Sequence, residues 1–384
     1  MSCLIITVLS SDMWLDRPHG ASIIKMLELL SRQARAETEL ILWSRRDLIE
    51  RKDNLLIRAI KVPHKVKESS FTYFVRTFKE SLGYMMERDL IIFDYPLIPA
   101  FVVSKSVRAD IKGISLVLSR PIHNNPLHPK NVAYRLSLLL GRNKVDLFTG
   151  ITPYEVVDIR RYVGKKVVVL PSPLAPEFLE PPKDCDRILE SHMDSEFLDL
   201  IESGVNLVLY HGALDVRRGL LRLLESFVRA FPRGDPTLVV LGKGNALPFV
   251  LRYQSLHPSV RYFGSVPLEA IPCITRIIKS GIAWFPDEPR WRYQLPTKVL
   301  EFMASQKPFL TSPLPGISWA VGRCPLAIYS EKISPSILRT FWEKVTQLQD
   351  DEGLCRRRVE KFSAKRVAAT LLSHIYKVTS QSSP

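Results

Sequence analysis

The sequence predicts a doubly wound α/β protein built as two halves, each a parallel sheet with helices on both faces. Three observations carry that expectation. At 384 residues the chain is long for a single hydrophobic core. Continuous apolar runs alternate with amphipathic stretches along its whole length, as strands buried on both faces and their covering helices do. A proline-dense stretch, from Pro171-Ser172-Pro173 to Pro181-Pro182, interrupts that alternation near the middle, where neither helix nor strand can continue. The expected division is a first α/β domain over 1–172, a linker and connecting helix over 173–203, a second α/β domain over 204–362, and a C-terminal helix and tail over 363–384. The last helix is expected to return to the first domain.

In chain order, residues 4–9 read as a buried first strand, followed by a loop and a helix over 21–34 with Ile23, Ile24, Leu27 and Leu30 on one face. Further strands are expected at 40–43, 55–60, 90–93, 114–118, 147–148 and 167–170. An aromatic, amphipathic helix is expected over 69–86. Past the prolines, a polar helical stretch over 184–202 leads to a second alternation. Its strands are expected at 205–210, 238–241, 260–263, 282–285, 309–311 and 327–329, with helices over 220–231, 248–256 and 268–278 and a last one over 363–378.

Charge and cysteine usage narrow the function classes. The net charge is +15, and residues 1–170 hold 27 Lys and Arg against 17 Asp and Glu. That excess implies an anionic partner such as lipid headgroups or a phosphorylated acceptor. The basic residues are dispersed and carry no nucleic-acid module, so no nucleic-acid partner is expected. No apolar run approaches the 18–20 residues of a membrane span. The chain opens without a signal peptide, so a cytoplasmic location is expected. Five scattered cysteines, odd in number and without a C-x-x-C pair, argue against zinc sites and disulfide frameworks.

The chemistry concentrates in Leu295-Pro296-Thr297-Lys298-Val299-Leu300-Glu301. Pro296 suits a helix start, which places Thr297 and Lys298 in the first turn, where free N–H groups and the helix dipole favour a phosphate. Glu301 follows about one turn later on the same side, within reach of sugar hydroxyls. Upstream, His211-Gly212-Ala213-Leu214-Asp215-Val216-Arg217-Arg218-Gly219 joins a buried strand to a helix, and Arg218 can fork onto an anionic diphosphate. Glycine turns follow the next two strands, at Gly242-Lys243-Gly244 and Phe263-Gly264-Ser265-Val266. In the first half, His123 follows the strand at 114–118 and is a candidate for acceptor positioning or proton transfer.

In this order the motifs resemble the retaining glycosyltransferases of the GT-B fold, the family-four-like glycosyl transferases group 1. There the pattern runs G-x-L-x-x-x-[KR]-G, G-x-G, [YF]-x-G-x-V and a final Glu. Here it reads Gly212 to Arg218-Gly219, Gly242-Lys243-Gly244, Phe263-Gly264-Ser265-Val266 and Glu301 to Lys307-Pro308. The resemblance covers about 205–321. It implies two Rossmann-like domains facing a central cleft, with Arg218 and Lys298 on the donor diphosphate and Glu301 on the ribose. It further implies that Gly20, opening the first helix, meets donor phosphate and acceptor. No cofactor or metal is expected, since cations would stabilise the leaving diphosphate. Three positions depart from the pattern: Ala213 stands for an Arg, Tyr293 for the first of two glutamates, and Gln306 for a Gly. Asp287 or Glu288 is a candidate substitute for the absent carboxylate.

The expected partners are a nucleotide sugar, a glycan or lipid-linked acceptor, and an anionic membrane surface. The membrane expectation rests on the 69–86 helix, the lysines before it and Trp14. Two other readings share the architecture: a catalytically degenerate partner of an active glycosyltransferase, and a nucleotide-sugar epimerase.

Overall fold

The computed structural model describes residues 5–10, 18–44, 48–61, 78–79, 81–117, 125–164, 166–350 and 353–380. Two compact units emerge, Met1–Pro173 with Ala364–Pro384, and Leu174–Ser363.

The first unit holds an eight-stranded sheet. Its strands are β1 (Ile5–Ser10), β2 (Glu37–Ser44), β3 (Leu48–Lys52), β4 (Leu55–Lys61), β5 (Leu90–Asp94), β6 (Lys112–Val117), β7 (Leu147–Gly150) and β8 (Val167–Val169). The spatial order is β3-β4-β2-β1-β5-β6-β7-β8. Every pairing is parallel except β3 with β4, a hairpin at the edge. Sequence reading missed β3, because Leu48-Ile49-Glu50-Arg51-Lys52 is a charged edge strand with little apolar signal.

One face of this sheet is covered by the helices Pro18–Ala34 and Ala364–Ser380, which pack on each other. Leu27 and Leu30 of the first helix share a core with Val367, Leu371 and Ile375 of the last. The C-terminal helix thus returns to the first unit. The other face carries the helices Ile98–Val107, Pro129–Gly141 and Pro153–Val163.

The second unit is wholly parallel. Its strands are β9 (Leu207–His211), β10 (Thr237–Leu241), β11 (Val260–Tyr262), β12 (Ser280–Ala283), β13 (Phe309–Thr311) and β14 (Ala327–Tyr329), in the order β11-β10-β9-β12-β13-β14. The order reverses between β9 and β12, so the carboxyl ends of those two strands flank the switch point where open α/β sheets bind ligands. The polar stretch before β9 forms two helices, Cys185–His192 and Ser195–Glu202. Asp194 separates them by accepting from the Phe197 N–H as an N-cap.

The expectation of unpaired cysteines is overturned. Cys185 bonds to Cys273 and Cys324 to Cys355, all within the second unit. Their sequence separations of 88 and 31 residues form no motif, and only the folded chain brings them together. The amphipathic stretch over 69–86 falls mostly outside the described residues; 81–86 are helical, with Ser81 and Met85 buried. Among the described residues, no helix is long and apolar enough to cross a membrane.

Candidate functional site

Four loops of the second unit meet at the carboxyl edge of its sheet. After β9 the chain turns at Gly212, whose N–H donates to the Leu241 carbonyl at the end of β10. The Gly242 N–H donates in turn to the Gly264 carbonyl after β11, at 2.6 Å, and the Tyr262 hydroxyl donates to the Gly242 carbonyl. Gly242 has φ +131°, and a Cβ there would lie 1.9 Å from the Gly212 carbonyl oxygen. The close approach of these two loops therefore requires glycine at this position. Asn245 completes the lacing by accepting from the Val216 N–H.

Asp215 caps the short turn Val216–Arg218 and binds the Arg217 guanidinium, which leaves Arg218 as the cation aimed at the edge. Gly219, at φ +75°, then starts the helix Leu220–Ala230 against the face of Trp284. On the far side of the switch point, Ser312 holds the end of the β12 segment through both the N–H and the carbonyl of Phe285. The loop beyond carries Trp291, whose indole N–H donates to the Arg217 carbonyl.

The helix Thr297–Ala304 enters this frame with Pro296 at its N-cap and Thr297, half-buried, as its first residue. Lys298 and Glu301 are buried, at 4% and 6% exposure, on a helix that needs no charge for its own packing. The Lys298 Nζ stands 3.8 Å from the centre of the Tyr210 ring and 5.5 Å from that of Phe285. The Arg218 guanidinium lies over the same Phe285 ring and over Trp291, at 5.8 and 5.4 Å. Two cations thus share one aromatic wall. Opposite them, the Nε2 of His211 lies 3.1 Å from a carboxylate oxygen of Glu301.

The electrostatics of this cluster are unsettled. Arg218 Nε, Lys298 Nζ, Glu301 Oε2 and His211 Nε2 are all buried, and none completes a hydrogen bond among the described residues. Burial, with the Arg218 charge beside it, pushes Lys298 well below the usual lysine range despite the opposing pull of Glu301. Desolvation pushes the Tyr210 hydroxyl up to about 12, so the ring beneath Lys298 stays neutral. Native interiors rarely leave several polar atoms unpaired at one spot. An anion contacting Arg218 and Lys298, joined to a group with hydroxyls for Glu301, would satisfy the set.

The structure therefore gathers Arg218, Lys298, Glu301, Thr297 and Gly212 at one edge, with Gly242 and Gly264 in the loops that frame it. Gly20 belongs to the first unit, in the first turn of the helix Pro18–Ala34. His123 lies outside the described residues. Neither proposed carboxylate substitute is free: Asp287 binds Arg292, and Glu288 pairs with Arg290. Gln306 occupies the left-handed region at φ +52°, the conformation a glycine would adopt there.

Sequence reading gave no role to His211, Tyr210, Phe285 or Trp291. His211 stood in view, directly before Gly212 at a strand end. Trp291 carried no signal, because an aromatic residue in a charged loop has no periodicity to place it.

Residues 205–341 match the family model of the glycosyl transferases group 1. No curated protein sequence matches the chain. In structure the chain is similar to sucrose-phosphate synthase from Thermosynechococcus elongatus, with 14% identity and a TM-score of 0.76, over 99% of this chain and 100% of that one. It is similar also to an α,α-trehalose 6-phosphate synthase from Burkholderia multivorans, with 13% identity and a TM-score of 0.74 over the full length of both. Anabaena HepE, solved in complex with UDP, matches at 12% identity and a TM-score of 0.69, over 97% of this chain and 100% of that one. At such identities the likeness is one of fold. The resemblance to GT-B glycosyltransferases is borne out, by the family match over 205–341 and by fold over the whole chain.

Proposed function

We propose that this protein is a glycosyltransferase that moves a hexosyl group from a nucleoside-diphosphate sugar to an acceptor hydroxyl, with retention and without a metal ion. The observation that carries the reading is the convergence of half-buried Arg218 with buried Lys298 and Glu301 at the β9/β12 switch point, where the Arg218 Nε and the Lys298 Nζ complete no hydrogen bond among the described residues. UDP is the first nucleotide to test, since HepE and a trehalose-6-phosphate synthase of E. coli were solved with UDP or a UDP sugar.

In this reading Arg218 and Lys298 hold the two phosphates together with the first turn of the helix Thr297–Ala304, and Glu301 accepts from the ribose hydroxyls. The His211 Nε2 stands beside the Glu301 carboxylate, at 3.1 Å. As the bond between the anomeric carbon and the phosphate oxygen breaks, charge builds on the leaving diphosphate. The two cations stabilise it with little reorganisation, because the aromatic wall already holds them. The acceptor oxygen then bonds to the anomeric carbon from the same face, and its proton passes to the departing phosphate oxygen. Retention comes from the resemblance to the family. The acceptor is a glycan or a lipid-linked sugar, and the excess of basic residues in the first half suits work at the anionic cytoplasmic face of a membrane.

Incubation with a panel of nucleotide sugars tests the proposal. Slow release of one nucleoside diphosphate is expected, and Lys298→Ala and Glu301→Ala should each abolish it. Binding of the nucleotide without release of the sugar from any donor or acceptor would favour the non-catalytic partner instead.

A further inference from the structure

The helix Pro129–Gly141 of the first unit has two apolar faces, and the fold uses one of them. Asn131, Tyr134, Leu138 and Gly141 are buried against the sheet side. Val132, Leu136, Leu139 and Leu140 recur at the same helical spacing on the opposite side, and all four are exposed, Leu136 and Leu140 by more than half. A surface helix ordinarily shows polar residues there. The helices Ile98–Val107 and Pro153–Val163 pack on either side, and they too expose large apolar residues, Val107 and Val157. Three neighbouring helices thus present apolar side chains outward, an arrangement that marks a contact surface.

The charges around this face identify what covers it. Lys130 stands at one end of the helix, Arg142 and Lys144 at the other, and Arg135 along it. None of the four has a carboxylate partner among the described residues, whereas Lys105 nearby is neutralised by Asp146 at 2.7 Å. An apolar stripe with free cations at its ends fits a surface of acyl chains beneath anionic headgroups, which long basic side chains reach by extending outward. A second copy of the chain would instead bring two sets of unpaired cations face to face.

We infer that the outward face of the helix Pro129–Gly141 docks the protein on an anionic lipid bilayer. The inference rests on the membrane association proposed above and assigns it to a surface distinct from the 69–86 segment. It does not depend on sugar transfer.

The test is cosedimentation of the full chain with vesicles of phosphatidylcholine alone and of phosphatidylcholine with phosphatidylglycerol. The wild-type chain should pellet with the mixed vesicles only, and less so at high salt. Leu136→Gln/Leu139→Gln/Leu140→Gln should lower the bound fraction, and Lys130→Ala/Arg142→Ala/Lys144→Ala should weaken binding about tenfold or more. Leu256→Gln, which removes an exposed leucine of the second unit, should change nothing. The cation variant keeps the test open should the leucine variant fail to fold. Wild-type binding that survives both triple substitutions would overturn this assignment and leave membrane association to another surface. No wild-type binding to either vesicle would overturn both readings. A dimer in solution that the leucine substitutions dissociate, without vesicle binding, would assign the face to a second copy and overturn the inference. Salt-sensitive capture by an acidic protein with no vesicle binding would overturn it as well. Nucleotide-induced thermal shift, read in parallel on each variant, reports the donor site separately.

Discussion

Lys298 shows how a ligand site is stored as instability. Its amine is buried beside Arg218 and has no hydrogen-bond acceptor among the described residues, so its charged form is disfavoured in the free protein. Lys298→Met should therefore raise the stability of the free protein by about 1–3 kcal/mol while weakening nucleoside-diphosphate binding about tenfold or more. Thermal denaturation with and without nucleotide checks both halves at once. The pH dependence has a definite sign. With the folded pKa below the unfolded one, the unfolded chain binds more protons between the two values, and stability gained from this group rises with pH across that window. The cost is fully present below the folded pKa, and Lys298→Met should remove this pH-dependent increment. A bound diphosphate restores the charge, so binding within the window should take up a proton. Calorimetry in two buffers of different ionisation enthalpy would measure that uptake, and equal heats would refute it. The lysine and the glutamate were legible because a proline fixed where their helix starts and thereby their common side. The aromatic wall was not legible, since Tyr210, Phe285 and Trp291 come from a strand, a strand end and a loop that only the tertiary fold brings together.

Turns and covalent ties decide how firmly the elements around the site are held. Gln306 closes the helix Thr297–Ala304 in a left-handed conformation, at φ +52°, where a side chain is strained. Gln306→Gly should stabilise the protein by about 0.5–1 kcal/mol, read as a raised denaturation midpoint, without altering nucleotide affinity. The departure from the family pattern at this position therefore leaves the turn intact. Gly242→Ala should do the opposite, because its Cβ would collide with the Gly212 carbonyl that ties the β9 and β10 loops together. Parallel strands were readable from their unbroken apolar runs, and helix positions from period and proline. The edge strand β3 and the disulfides were not, since one depends on a neighbour for its pairing and the others on long-range approach. Loops of 88 and 31 residues make each disulfide worth roughly 3–5 kcal/mol through the unfolded chain. Reduction should accordingly lower the thermal transition of the second unit, and an unchanged transition would show that the thiols are not paired.

The chain as a whole carries two cores, and its last helix belongs to the first of them. Removing 364–384 would strip Val367, Leu371, Ile375 and Val378 from the core they share with the helix Pro18–Ala34. At about 1.5–3 kcal/mol per buried side chain, the loss of about 6 kcal/mol or more rivals the stability of a whole domain. Truncation should abolish the cooperative transition of the first unit and leave the nucleotide-dependent transition of the second, as scanning calorimetry would show. Two α/β halves were expected from chain length and from the proline-dense break. In the structure the break falls inside that stretch: Pro171 and Pro173 end the first unit, while Pro176, Pro181 and Pro182 belong to the second, in which Leu174 pairs with Ser363. The most direct test of the account is titration calorimetry of UDP, ADP and GDP into the wild-type, Lys298→Ala and Glu301→Ala proteins. One nucleotide should bind the wild-type protein, and each substitution should weaken it by about tenfold or more. Binding that is indifferent to both substitutions, or absent for all three nucleotides, would contradict the claim that this edge of the second sheet grips a nucleoside diphosphate.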